Sequence, residues 1–208
     1  MKKIKIILFD IDGVLMRPPH YFTKELEMAG HENATESFNS FYEGDIKNNR
    51  LKGKIDAKKA VIPYLKKIGW RKKAEKYFEM QLDFESQYLD SEFMLMIEKF
   101  QNRGMKCYLC TDQDKNRAKL LLNKLKFKDI FDGWFISSSI GYRKCEKDFW
   151  VYVISELKNK FPDVSPSEIV FFDDIQKNVD MASKFKIRSF LFKNKSKFKK
   201  DIKLLFLN

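Results

Sequence analysis

The apolar run Lys3 to Asp10 (KIKIILFD) ends in a carboxylate, and a second one, Asp12, follows two residues later, just before Gly13. Carboxylates delivered by a buried strand resist desolvation unless something cationic meets them. Mg²⁺ is the natural partner, being a hard cation that takes oxygen ligands. The pair points to metal-assisted chemistry with an aspartate available as nucleophile. The plainer alternative is polar punctuation at a strand end, and the rest of the chain decides between them. Three more apolar stretches end in reactive side chains. Met105–Cys110 is followed by Thr111, Asp112 and Gln113. Phe131–Ser137 runs into more serines and then Gly141-Tyr142-Arg143-Lys144. Glu168–Phe172 ends in Asp173 and Asp174. Acid, hydroxyl and cation at four strand ends is more than a purely structural domain requires.

The elements that position these groups are legible from periodicity. Beyond residue 104, strands alternate with helices: a helix over Asp114–Leu125, another over Lys147–Lys158, a short one over Asn178–Phe185 and a last strand, Arg188–Phe192. Such alternation predicts an α/β fold, a Rossmann-like parallel sheet with helices on both faces, and sites in such sheets form beyond the carboxyl ends of the strands. Residues 17–90 differ. Their apolar positions recur at helical spacing, with Gly44, Gly53 and Gly69 as breaks. This predicts a small all-helical insert after the first strand, with 1–16 and 91–208 forming the core. Ser91–Gln101 leads back as a helix stopped by Gly104.

Composition bounds the function. The 208 residues are 44% hydrophobic and 34% charged, which fits a folded domain. No apolar run is long enough to span a bilayer, the N-terminus lacks the features of a signal peptide, and a cytoplasmic location is expected. The net charge of +12 is spread along the chain and suits the attraction of an anionic substrate. No nucleic-acid motif accompanies it, so no nucleic-acid partner and no membrane partner is expected, and the chain is read as a monomer or homodimer. The basic run Lys193–Lys203 interleaves with Phe198, Ile202, Leu205 and Phe206, as in a C-terminal helix with one docked face. Three cysteines argue against a disulfide framework. Cys107 and Cys110 sit at i and i+3 of a strand, so they point to opposite faces.

Taken in order, Asp10-Ile11-Asp12-Gly13-Val14, Thr111, Lys144 and Phe171-Phe172-Asp173-Asp174 with Asn178 make the chain resemble the haloacid dehalogenase-like hydrolase superfamily over essentially its whole length. The insert resembles the subgroup with a helical cap between the first and second motifs. The resemblance implies Asp10 as nucleophile and Asp12 as general acid and base. It implies Thr111, Asp112 and Lys144 around the phosphoryl group, Asp112 being expected to turn its carboxylate away from the phosphate. Mg²⁺ would be held by Asp10, the backbone carbonyl of Asp12 and Asp174, with Asp173 acting through water and Asn178 orienting Asp174. An acid at Asp12 is what phosphatases and phosphomutases use, whereas carbon–halogen-cleaving members lack it. The implied activity is a Mg²⁺-dependent phosphatase of a small phosphorylated metabolite, such as a sugar phosphate or nucleotide. A phosphosugar mutase or a binding protein on the same fold are the alternatives. Cys145 stands where many relatives have proline, and Asp112 where asparagine is common.

Overall fold

The computed structural model describes residues 3–206. Five parallel strands form one sheet in the order β3-β2-β1-β4-β5, comprising β1 (Ile6–Phe9), β2 (Lys106–Thr111), β3 (Gly133–Ile136), β4 (Ile169–Asp173) and β5 (Arg188–Leu191). β1 is central and pairs with both β2 and β4, Phe9 lying beside Leu109 and Phe172. The ladder continues one residue further, because the Asp10 N–H donates to the Phe172 carbonyl at 3.0 Å. The ends of β1, β2 and β4 are therefore aligned, and Asp10, Thr111 and Asp173 share one edge of the sheet.

Both faces of the sheet are covered, which explains the near-continuous apolar character of its strands. Ile7, Phe9, Cys107, Leu109 and Phe172 face one core, and Ile6, Leu8, Cys110 and Phe171 the other. Cys107 and Cys110 thus point to opposite faces, and all three cysteines are free. β3 is shorter than its apolar run: Ser137–Ile140 forms a helical turn, and Ser137 Oγ accepts from the Gln113 N–H at 3.0 Å. A hydroxyl that satisfies a neighbouring loop amide draws the chain out of the ladder.

In chain order the helices are α1 (Phe22–Met28), α2 (Ala34–Ser37), α3 (Asn39–Tyr42), α4 (Gly44–Leu51), α5 (Ala57–Lys67), α6 (Ala74–Ser86), α7 (Ser91–Asn102), α8 (Lys115–Asn123), α9 (Phe127–Ile130), α10 (Ser137–Ile140), α11 (Lys147–Lys160), α12 (Gln176–Ser183) and α13 (Lys195–Phe206). α7, α8 and α13 cover the first face through Phe93, Leu121 and Phe198, and α11 covers the second through Phe149, Trp150 and Leu157. α13 is docked as its pattern predicts: the Phe198 ring lies 4.6 Å from those of both Phe93 and Phe172. The Phe206 side chain lies outside the described residues.

α1 to α6 follow β1 and enclose their own aromatic core, including Phe22, Phe38, Phe41, Tyr64 and Tyr77. The chain enters and leaves this helical segment through adjacent strands of backbone. The Asp90 N–H donates to the Leu15 carbonyl at 2.9 Å, and Arg17 pairs with Asp90 while lying 5.3 Å over the Phe192 ring. Gly44 opens α4 and Gly53 lies just beyond its end, so these glycines mark helix ends. Among the described residues, no helix is long and apolar enough to cross a membrane.

Candidate active site

A cleft of about 560 Å³ opens where the carboxyl ends of the strands face the helical segment. Asp10, Asp12 and Asp174 line it from the sheet side, while Tyr42, Lys47 and Glu85 line it from the helices.

Asp10 is buried. Its Oδ1 accepts from the Ile11 N–H at 2.8 Å, and its Oδ2 lies 2.7 Å from Lys144 Nζ. The same ammonium sits 2.7 Å from Asp173 Oδ2, and Lys144 is only 1% exposed. Burial opposes the charge on Lys144, yet the two carboxylates hold it protonated, well above the ordinary lysine range. One ammonium cannot neutralise both acids. Burial therefore outweighs the pull of Lys144 on Asp10 and, helped by the negative charge of Asp173, pushes the Asp10 carboxyl well above its usual value.

Lys144 is fixed at both ends. Asp112 Oδ1 accepts its backbone N–H at 3.0 Å, and Trp150 Nε1 donates to its carbonyl at 2.7 Å. Asp112 Oδ2 also accepts from Arg143 Nε at 3.0 Å. Asp112 therefore spends its carboxylate on the loop that carries Lys144.

Asp173 is fully enclosed. Oδ1 accepts from the Ile175 N–H at 2.8 Å, and Asn178 Nδ2 lies 3.1 Å from both carboxylate oxygens. Asn178 thus orients Asp173 and not Asp174, contrary to expectation. It sits in the first turn of α12 and points back at the end of β4, whereas Asp174 has already turned outward into the cleft. Asp174 opens onto solvent, but the cleft walls and the charge of Asp173 push its carboxyl up to about 6. Ligand oxygens from Asp10, Asp173 and Asp174 lie within 4.8 Å of one another. With its hydrogen bonds counted, Asp173 has little capacity to spare, while Asp10 and Asp174 keep free lone pairs. With all three carboxylates ionised, one ammonium leaves two negative charges, the complement of a divalent cation with oxygen preference.

Gly13 shapes this corner. Its φ is +75°, and a β-carbon there would stand 2.0 Å from Asp174 Oδ2. Only glycine permits both the left-handed turn and the close approach of that carboxylate.

Asp12 is differently placed. Its side chain is 54% exposed and opens into the cleft, yet both oxygens are held. Arg117 Nη2 donates to Oδ1 at 2.8 Å, Arg117 Nη1 to Oδ2 at 2.9 Å, and Gln113 Nε2 to Oδ2 at 2.7 Å. Burial pulls its pKa up, but the guanidinium outweighs this and holds Asp12 below the usual carboxylate range. Thr111 lies beneath the cleft wall at 1% exposure, its Oγ1 accepting from Gln113 Nε2 at 3.3 Å while its own hydrogen stays available.

Sequence reasoning missed Arg117, Gln113 and Glu85. Gln113 was visible as the residue after Thr111-Asp112, and Arg117 is its i+4 neighbour at the start of a helix. Glu85 gave no signal, because its partner Arg117 lies 32 residues further along the chain. Arg17 and His20, which flank Pro18 and Pro19, both line the cleft. Arg17 is tied to Asp90, and His20 stacks on Phe84 with ring centroids 5.4 Å apart.

The comparisons agree with this architecture. The chain is 29% identical over 125 residues to drimenol cyclase drtB of Aspergillus calidoustus, a match covering 59% of this chain but 23% of the cyclase. A Porphyromonas gingivalis protein, described as a predicted HAD-like family hydrolase, shares the fold over 100% of both chains with a TM-score of 0.78 at 17% identity. A HAD family enzyme of Bacteroides thetaiotaomicron, solved with magnesium and inorganic phosphate, has a TM-score of 0.72 at 18% identity, covering 94% of this chain and 98% of its own. The family model for haloacid dehalogenase-like hydrolase matches residues 4–186. With that match spanning β1 to β4 and every acid of the cleft, the chain belongs to the haloacid dehalogenase-like hydrolases.

Proposed function

We propose that the protein is a Mg²⁺-dependent phosphatase of small phosphorylated metabolites, with the segment 17–90 acting as a cap over the sheet. The observation that carries this reading is Asp12, an acid open to the cleft two residues beyond the buried Asp10–Lys144 pair. A site for displacement alone needs the nucleophile and its counter-ion. A site that also protonates an alcohol and then deprotonates water needs a second carboxylate at the same edge.

In this reading Asp10 attacks phosphorus. The bond to the leaving oxygen breaks, and Asp12, which takes up a proton from solvent as the anionic ester binds beside it, gives that proton to the leaving oxygen. Water then attacks the aspartyl-phosphate and loses its proton to Asp12, and inorganic phosphate leaves with Asp10 restored as a carboxylate. Lys144 lets one anion approach another, and the Thr111 hydroxyl donates to a phosphoryl oxygen. Asp112 acts by holding the Lys144 loop. Asp10, the Asp12 carbonyl and Asp174 would hold Mg²⁺, with Asp173 behind them. The bound cation supplies charge neutralisation at the phosphoryl oxygens. The magnesium and phosphate complex of the Bacteroides thetaiotaomicron enzyme supports this assignment. Tyr42, Phe41 and Lys47 on the cap side suit a small organic leaving group.

The test is phosphate release from a panel of phosphorylated metabolites, with and without Mg²⁺, beside Asp10→Asn. Release that requires Mg²⁺ and disappears in the variant is expected. Phosphate release retained by Asp10→Asn sinks the nucleophile assignment, and isomerised substrate in place of free phosphate selects the mutase.

A further inference from the structure

Arg117 enters the cleft wall as a saturated guanidinium. Nε donates to Glu85 Oε2 at 3.1 Å, and Nη2 donates to that oxygen at 2.7 Å and to Asp12 Oδ1 at 2.8 Å. Nη1 donates to Asp12 Oδ2 at 2.9 Å and to Gln113 Oε1 at 2.6 Å. A guanidinium has five N–H donors in a planar fork and no acceptor. All five are taken by protein oxygens, so none is left for a substrate anion.

We infer that Arg117 is a positioning residue that aims the Asp12 carboxylate, and that Glu85 on α6 aims Arg117, so that the helical segment sets where the acid stands. The inference rests on the role given to Asp12 in the phosphatase reading. An aspartate more than half exposed beside a glycine has several rotamers open to it, and a bidentate fork selects one. The fork is itself held from the far side, since Gln81 Nε2 donates to Glu85 Oε1 at 2.8 Å. Gln81, Glu85 and Arg117 are all buried. The chain Gln81–Glu85–Arg117–Asp12 therefore runs from the middle of a segment helix to the site without a water-exposed break before Asp12. Displacement of α6 moves Glu85, and Arg117 must follow it or release it.

Removing either buried charge alone leaves the other unpaired, so the decisive variant is Glu85→Gln with Arg117→Gln, which removes both together. Its kcat/KM is compared with wild type on an alkyl phosphate, whose leaving oxygen needs a proton, and on p-nitrophenyl phosphate, whose leaving group does not. We expect a loss of at least about tenfold on the alkyl ester and less than about threefold on the aryl ester. Inhibition by inorganic phosphate should stay within about twofold, and Arg117→Lys, which keeps the charge but not the fork, should fall between. Equal loss on both esters, or no loss, overturns the inference. Weakened phosphate inhibition overturns it too, because Arg117 would then bind the anion. A second readout needs no turnover: Asp12→Asn should raise the amide hydrogen exchange of α6. If wild type releases no phosphate, the phosphatase reading fails, and unchanged exchange in Asp12→Asn still overturns the tether.

Discussion

At the scale of single residues, the site depends as much on what is missing at Gly13 as on the acids beside it. Asp174 occupies the space where a side chain at position 13 would stand, 2.0 Å from the place of a β-carbon. Gly13→Ala would carry two penalties, a non-glycine residue at φ +75° and a displaced Asp174 carboxylate. The fold does not depend on Asp174, which is exposed, so the loss should fall on the cation. We expect Mg²⁺ affinity to drop by at least about tenfold, with melting in the absence of metal lowered only by the ordinary cost of a strained turn, about 1–3 kcal/mol. Calorimetric titration of the variant checks this, and wild-type affinity would show that Asp174 is not a ligand. The same contrast runs through the acids. Asp173 is enclosed with its oxygens taken, Asp10 is buried yet lines the cleft with lone pairs to spare, and Asp12 and Asp174 open into it. Enclosed groups keep their geometry whatever arrives, and open ones are free to meet substrate, water or metal.

At the scale of elements, α4 fastens the helical segment to the core. Asn48 accepts from Arg143 Nη1 at 2.6 Å, the buried Arg50 pairs with Asp114 at 2.6 Å, and Lys52 contacts Glu146. Asp114 also caps α8, accepting from the Asn116 and Arg117 N–H groups at 3.0 and 3.1 Å. The helix that carries Arg117 and the helix that carries Lys47 are thus joined through one carboxylate. Beyond α4, Gly53 has φ +68°, and a β-carbon there would lie 2.3 Å from the Ser138 carbonyl oxygen. Gly53→Ala should therefore destabilise the protein by more than about 1 kcal/mol. It should also raise KM more than it lowers kcat, since it loosens the segment and leaves the acids in place; a variant with unchanged melting and KM would show that this contact carries no load. The sequence reading recovered the elements where physics is local. Strand ends show up because apolar runs stop abruptly at Asp10, Thr111 and Asp173, and helices because one face is apolar. The helical insert was legible for the same reason. Contacts between the segment and the core were not, because Glu85, Arg50 and Lys52 read as ordinary surface charges on amphipathic helices until folding supplies partners 32 to 94 residues away. The partner of Asn178 was missed through direction: Asp173 and Asp174 are adjacent in sequence, but β4 points the first inward and the turn points the second out.

At the scale of the whole molecule, a chain of net charge +12 concentrates acids at one edge of its sheet. The surrounding positive charge favours the approach of an anionic ester, while the acids would repel it unless a cation neutralises them. This makes the site a point of linkage between protons, metal and stability. The carboxyl of Asp174 is pushed up to about 6, so the folded, metal-free protein holds that proton more tightly than the unfolded chain does. Where the folded state binds the extra proton, stability falls as pH rises. Metal-free protein should thus lose stability as pH climbs from about 4, the ordinary carboxyl value, through about 6. Mg²⁺ binds the deprotonated site and opposes this loss, so it competes with the proton below about pH 6 and is unopposed above it. The rise in melting temperature on adding Mg²⁺ should accordingly be larger at about pH 8 than at about pH 5, and Mg²⁺ affinity should weaken about tenfold per unit below about pH 6. Asp174→Asn removes the titrating group, and it should lower affinity at high pH while flattening the pH dependence. An affinity that is the same at both pH values in the wild-type protein would mean that the metal does not displace the Asp174 proton. The positive surface would then act on substrate alone, without the metal-neutralised acid edge that the phosphatase reading requires.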